Sequence, residues 1–277
     1  MNDRFLIFAD TRTGSSCLFN IMARTYDLQF KPDAIASKRR VIVTGISEPF
    51  HPNVVSYFYK EEVYEALYPS EPKFEGDPIK WKDEGCLLKE DWPTIKRIFD
   101  KSFEFTYGIK HIWSHLKRED NYRILNRAIE NKYKIILLNR EGVIKKCLSH
   151  LICEQKNIWR ARERRDLKFE KVDLKRLNQF AKDYIKQLTE YKDFLSPHDH
   201  YSLSYEDFLV PEETEERLKK VYDVLEYCEI ERENIPCEMC RYLLGENRKM
   251  NPNEILQLIP NFKEIKELAK NEYNEIL

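Results

Sequence analysis

Glycine is scarce in this chain, with seven in 277 residues, so each one needs a local reason to be there. Net charge is nearly absent too: 47 Lys and Arg against 48 Asp and Glu leave −1. That balance excludes a global field drawing the chain to nucleic acid or to a membrane surface. No window approaches the ~18 consecutive apolar residues of a membrane span. Residues 1–4 lead straight into a strand with no charged-then-apolar leader, and the seven cysteines are odd in number and scattered. A reduced, cytoplasmic, soluble protein is the expectation. Internal repeats, low-complexity tracts and compositionally distinct linkers are also missing, so a single domain over 1–277 is expected.

What is present is concentrated first in Phe5–Leu18, FLIFADTRTGSSCL. Phe5 to Ala9 form a short apolar run suited to a buried strand. Asp10 to Ser16 then turn through Gly14 into an apolar stretch with helical character. Such a strand–turn–helix presents backbone amides and a positive helix end to an anion. The Ser15 and Ser16 hydroxyls and the Arg12 guanidinium stand at the same turn. A plainer reading is a serine that only caps the helix. A triphosphate-binding loop would carry a second glycine and a lysine before the hydroxyl; neither is here, and Arg12 grips oxyanions through its fork instead.

Farther along, Val41–Thr44 reads as a strand closing at Gly45, and the two prolines of Glu48-Pro49-Phe50-His51-Pro52 fix an extended turn. Val54–Leu67 has helical character. Residues 69–93, rich in proline and charge, form a loop, with a lid over an acceptor site and an ordinary surface excursion both left open. Helical spacing returns at Thr94–Phe103, and Phe105–Lys110 reads as a strand. Asn121–Tyr133 is an amphipathic helix, and Lys134–Asn139, KIILLN, is the clearest strand. After Arg140 and Gly142 a helix runs from Val143 to Arg162, repeating the opening grammar. Leu174–Leu195 is a long amphipathic helix, His200–Ser204 a strand, Glu212–Glu226 a helix, with further helices at Ile255–Leu258 and Phe262–Ile276. Two strand–turn–helix units argue for an α/β fold with a central, mostly parallel sheet flanked by helices on both faces.

Strand–TRTGSS–helix resembles the 5′-phosphosulfate loop of sulfotransferases that use 3′-phosphoadenosine-5′-phosphosulfate, and is most similar to the bacterial carbohydrate type, the nodulation-factor and trehalose enzymes. The resemblance implies a P-loop-like three-layer fold, this co-substrate, no metal, and a small-molecule or glycan acceptor. It leaves the oligomeric state open. In that family a strand ending in Arg, with a Ser nine residues on, binds the 3′-phosphate; LLNREGVIKKCLSHLI keeps Arg140 and Ser149 at that spacing. YGIKHIWSHL resembles the family's G-x-K segment, which implies that Lys110 neutralises the sulfonate or a phosphate. Trp159-Arg160-Ala161-Arg162 resembles its W-R-x-R, and YSLSYEDFL its Y-E-D-L signature, with Glu206 and Asp207 capping or bracing structure. Arg248 and Lys249 lie where such enzymes place a late basic clamp on the co-substrate; a solvated basic pair is the alternative.

Sulfuryl transfer asks the protein to position a charged donor and to stabilise charge on its oxygens. The expected catalytic set is Arg12, Glu48, His51 and Lys110; the co-substrate set is Arg12, Thr13, Gly14, Ser15, Ser16, Cys17, Arg140, Ser149, Arg248 and Lys249. The base is open between Glu48, His51 and His111. His111 and His115, four apart on an expected helix, have a spacing that would also suit a metal, but no third ligand accompanies them. Cys237 and Cys240, with Cys228 nearby, lack a fourth ligand and read as incidental. The basic run Arg160–Arg165 reads as the solvated end of a helix. Competing functions are a P-loop kinase of a small molecule or nucleotide, and a non-catalytic binder of adenosine 3′,5′-bisphosphate.

Overall fold

Phe5–Ala9 is buried at all five positions, as a strand must be when both faces of its sheet are covered. In the computed structural model, which describes residues 4–30, 45–47, 107–156, 168–211, 214–231 and 256–277, this strand (β1) is the middle of five. The others are β2 (Gly45–Ser47), β3 (Gly108–Ile112), β4 (Lys134–Asn139) and β5 (His200–Ser204). Their order is β2-β3-β1-β4-β5, and every pairing is parallel.

The period of two sorts the side chains into two layers. Leu6 and Phe8 of β1, Ile109 of β3, and Ile135 and Leu137 of β4 pack on one face. There they meet α2 (Arg118–Glu130), α3 (Val143–Lys156), α4 (Leu174–Leu195) and α7 (Phe262–Tyr273). Phe5, Ile7, Ala9, Ile112, Ile136 and Leu138 point to the opposite face, against α1 (Ser15–Phe30), α5 (Tyr205–Leu209) and α6 (Thr214–Tyr227). The result is a three-layer α/β architecture. The chain leaves β1 toward β2 and β3 on one side and toward β4 and β5 on the other. Ligands of such sheets collect at the carboxyl ends of the strands flanking that reversal, where the turns after β1 and β4 stand.

β4, α4 and β5 coincide with the spans expected from sequence. Five elements shift. α1 continues past Tyr26 to Phe30, and α2 begins at Arg118 rather than Asn121. α6 is described from Thr214 and runs to Tyr227 rather than Glu226, and α7 ends at Tyr273, where Asn274 takes a left-handed φ of 51°. β3 begins at Gly108 because it pairs opposite Phe5, whose ring lies where a side chain at 108 would go: a Cβ there would meet Phe5 Cζ at 2.3 Å. α3 is described to Lys156. The expected strand Val41–Thr44, helices Val54–Leu67 and Thr94–Phe103, and loop 69–93 lie outside the described residues, as do Glu48, His51, the Trp159–Arg162 motif, Cys237, Cys240, Arg248 and Lys249.

One expectation is overturned. His111 and His115 do not share a helix: His111 is a strand residue of β3, and His115 ends a 3-10 turn over Trp113–His115. His111 is buried under α2, its Nε2 2.7 Å from Asn121 Oδ1. Strand alternation sends it to the face opposite Lys110, into a packed aromatic layer with Phe8. It is a satisfied core histidine, away from the helix α1 side of the sheet. Among the described residues no helix is long and apolar enough to cross a membrane.

Candidate functional site

The turn between β1 and α1 is built by two left-handed residues. Arg12 has φ 65° and Gly14 φ 79°. Glycine carries the second at no steric cost, and a Cβ there would also strike Leu209 Cδ1 at 2.5 Å, so α5 closes directly over the loop. The non-glycine Arg12 is held in its unusual conformation by bonds on both sides: Thr13 Oγ1 donates to the Asp10 carbonyl at 2.7 Å, and Arg140 Nη1 donates to the Arg12 carbonyl at 3.0 Å. Gly14 precedes the first helical residue, Ser15, and accepts from the Cys17 and Leu18 amides. The cap position is therefore held by Gly14 and not by the serine of the plainer reading, and the first-turn amides point out of the helix end.

Cations converge on this turn from three elements. Lys110, buried to 1% exposure on β3, crosses to α1 and donates from Nζ to Ser16 Oγ at 2.9 Å. Arg12 donates from Nε to Ser149 Oγ of α3 at 3.1 Å. Arg140, at the end of β4, is 8% exposed. Its backbone amide donates to the Tyr184 hydroxyl at 2.9 Å, and its guanidinium lies 4.2 Å over the Tyr205 ring. Arg140 Nε has no hydrogen-bond partner among the described residues and stands 3.7 Å from Glu206 Oε1. Burial, above all, draws the Arg12 guanidinium below its ordinary value; the neighbouring Arg140 charge pulls the same way, while Cys153 and Tyr205 oppose it. Cations held close together with partial burial favour an arriving anion.

Beneath the turn lies a buried ion pair. Asp10, at the end of β1, accepts from Lys146 Nζ of α3 and from the Thr11 amide at 2.7 Å. The Lys146 ammonium also sits 4.1 Å over Tyr184 and 4.6 Å over Phe180. Beside it, Thr11 Oγ1 and His150 Nδ1 are 2.9 Å apart, and His150 Nε2 lies 3.3 Å from Glu154 Oε1. Burial lowers the His150 pKa below its ordinary value, against the opposing pull of Glu154. Cys147, on the same helix, is pushed up to about 12 by burial and stays a thiol.

The structure thus brings Arg12, Thr13, Gly14, Ser15, Ser16, Cys17, Lys110, Arg140 and Ser149 to one end of the sheet. Glu206 and Asp207 do brace structure: Asp207 completes a capping box with Ser204. Glu206 accepts from the Glu141 and Gly142 amides at 2.9 and 3.2 Å. The residues that sequence reasoning passed over are Thr11, Lys146, His150 and Glu154. Lys146, Ser149, His150 and Cys153 follow the i, i+3, i+4, i+7 rule, which puts them on one helix face; that pattern, anchored on Ser149, was the available signal. No protein-family model and no curated protein matches this chain.

Proposed function

We propose that this chain is a sulfotransferase that moves a sulfuryl group from 3′-phosphoadenosine-5′-phosphosulfate to an acceptor hydroxyl, of a carbohydrate or glycolipid by the resemblance of its motifs. The observation that carries the reading is the β1–α1 turn, where Lys110 Nζ meets Ser16 Oγ at 2.9 Å and Arg12 stands on the other side, bonded to Ser149. The donor set fits a phosphosulfate: amides at a helix start, hydroxyls, and the side chains of Arg12 and Lys110. The buried Nε of Arg140, without a hydrogen-bond partner among the described residues, supports a second anionic group near the end of β4.

In this reading the first-turn amides of α1, with Ser15 and Ser16, hold the 5′-phosphosulfate, and Arg12 and Lys110 stabilise charge on its bridging and peripheral oxygens. The bond from sulfur to the phosphate's bridging oxygen breaks as the bond to the acceptor oxygen forms, and the acceptor proton passes to a base. Glu48 and His51 remain the proposed bases; His111 is dropped, being buried against Asn121. Arg140 and Ser149 serve the 3′-phosphate, with Arg248 and Lys249 as the proposed late clamp. Losing one such charge contact raises a barrier by about 2.7–4 kcal/mol. No metal takes part in this scheme.

The P-loop kinase is the reading to beat, because Lys110 brings to the loop the ammonium that its own sequence lacks. Calorimetric titration with adenosine 3′,5′-bisphosphate, against ATP with magnesium, separates the two. Tighter binding of the bisphosphate is expected, lost in large part in Arg12→Ala and in Arg140→Ala. Tighter binding of ATP overturns the reading, and unchanged binding in Arg140→Ala removes that residue from the 3′-phosphate pocket.

A further inference from the structure

We infer that His150 is a positioning residue for the bound anion, acting through Thr11: when protonated it turns the Thr11 hydroxyl from a donor to histidine into a donor to the ligand, so anion binding takes up a proton. This rests on the reading of the β1–α1 turn as an anion site and names a residue and a proton linkage that the reading does not contain.

The geometry fixes the proton positions. Glu154 can only accept, so Nε2 carries hydrogen toward its Oε1 at 3.3 Å. In neutral imidazole that leaves Nδ1 as an acceptor, and the Thr11 hydroxyl, 2.9 Å away, donates to it. Thr11 then shows only lone pairs to the turn, the wrong polarity for a sulfate or phosphate oxygen. A proton on Nδ1 reverses the bond: Nδ1–H donates to Thr11 Oγ1, the hydroxyl hydrogen is released to rotate toward the ligand, and a positive charge is added on α3, one residue after Ser149. The proton comes from solvent and no other bond changes.

The surroundings hold this switch near its neutral state until an anion arrives. Facing His150 are Glu154 and Lys146 of its own helix and Asp10 from the end of β1. α4 contributes Arg176, bonded to Glu154 at 2.7 Å, and the Phe180 ring, edge to face with the imidazole at 5.0 Å between centroids. Glu154 and Asp10 favour the protonated ring, whereas burial, the largest influence, and Lys146 disfavour it. Arg176 draws on the Glu154 carboxylate, and Lys146 is itself paired with Asp10. A dianion at the turn tips this balance toward protonation.

The test is calorimetric binding of adenosine 3′,5′-bisphosphate to the full chain at pH 7, in buffers of different ionisation enthalpy, which reads protons taken up per ligand. Comparison with His150→Gln cancels the ligand's own titration. The unmodified protein is expected to take up roughly 0.3 proton or more in excess of the uptake by His150→Gln, and its affinity is expected to fall severalfold more steeply from pH 6 to pH 8. Thr11→Val should lose the same excess while keeping the histidine, and Thr11→Ser should restore it, which a merely structural role would not do. Equal proton uptake in the unmodified protein and in Thr11→Val overturns the inference and leaves the anion site standing. Absence of bisphosphate binding to the unmodified protein overturns both.

Discussion

The fold uses one construction twice, at β1–α1 and at β4–α3, and finishes the two helix starts in opposite ways. At α3 the first-turn amides are taken by the protein's own carboxylates. Glu206 accepts from Glu141 and Gly142, and Glu275 accepts from Ile144 and Lys145 at 2.7 and 3.0 Å. At α1 the neighbours are Lys110, Arg12 and two serine hydroxyls, with no carboxylate bonded to the helix start among the described residues. A helix end is a generic anion site; what distinguishes the α1 start is that none of the described carboxylates is bonded to it. The first unit is the one the proposed anion would occupy, and the second is closed by residues that also set Arg140.

The comparison breaks first through the ion pair that ties the two units together. Lys146→Met leaves Asp10 buried without its cation and is expected to cost about 3–5 kcal/mol of stability, read by denaturant unfolding. A loss under about 1 kcal/mol would mean that the two turns are held independently. Next, Lys110→Met removes the ammonium from α1's first turn while conserving the stem. Losing a charged hydrogen bond is worth about 1.5–3 kcal/mol, so bisphosphate affinity should fall at least about tenfold with little change in melting temperature. An unchanged affinity would mean that Lys110 serves packing alone.

Glu206→Gln opens the second unit instead. It keeps an oxygen for the α3 amides but removes the charge, so stability should drop by about 0.5–1 kcal/mol. Arg140, relieved of its carboxylate neighbour, should bind the bisphosphate severalfold more tightly. Weaker binding would show that Glu206 positions Arg140 more than it competes for it. The smallest effect concerns pH. His150 has a lowered folded-state pKa, chiefly through burial, so it contributes stability above its unfolded value of about 6.5 that is lost as pH falls toward the folded value. Without ligand the unmodified protein should therefore lose stability below that pH faster than His150→Gln. Parallel curves would mean that His150 titrates as freely folded as unfolded.

Local signals carried the sequence reading where they were strong. KIILLN and Leu174–Leu195 were legible to their end residues, because a bounded apolar run and a long amphipathic period leave little choice. The β1–α1 turn was legible for the same reason: strand, glycine and hydroxyls are adjacent in the chain. His111 was misassigned because four-residue spacing looks helical, whereas pairing with β1 decides that it is a strand residue. The partnerships that tune the site were not legible. Asp10 with Lys146, Thr11 with His150 and Ile144 with Glu275 join residues more than a hundred positions apart, and only the folded chain brings them together.

The short helix α5 touches everything that matters here. Its Leu209 and Phe208 press on Gly14, its Tyr205 lies under the Arg140 guanidinium, and its Glu206 holds the turn before α3. The consequence is kinetic. With the β1–α1 turn pinned by α5 and by the Arg140 bond, the donors of that turn are already set for the proposed dianion, and the turn itself need not rearrange to receive it. Association should then be set by encounter and by the local field of Arg12, Lys110 and Arg140, so the on-rate, rather than the off-rate, is the quantity that added salt slows.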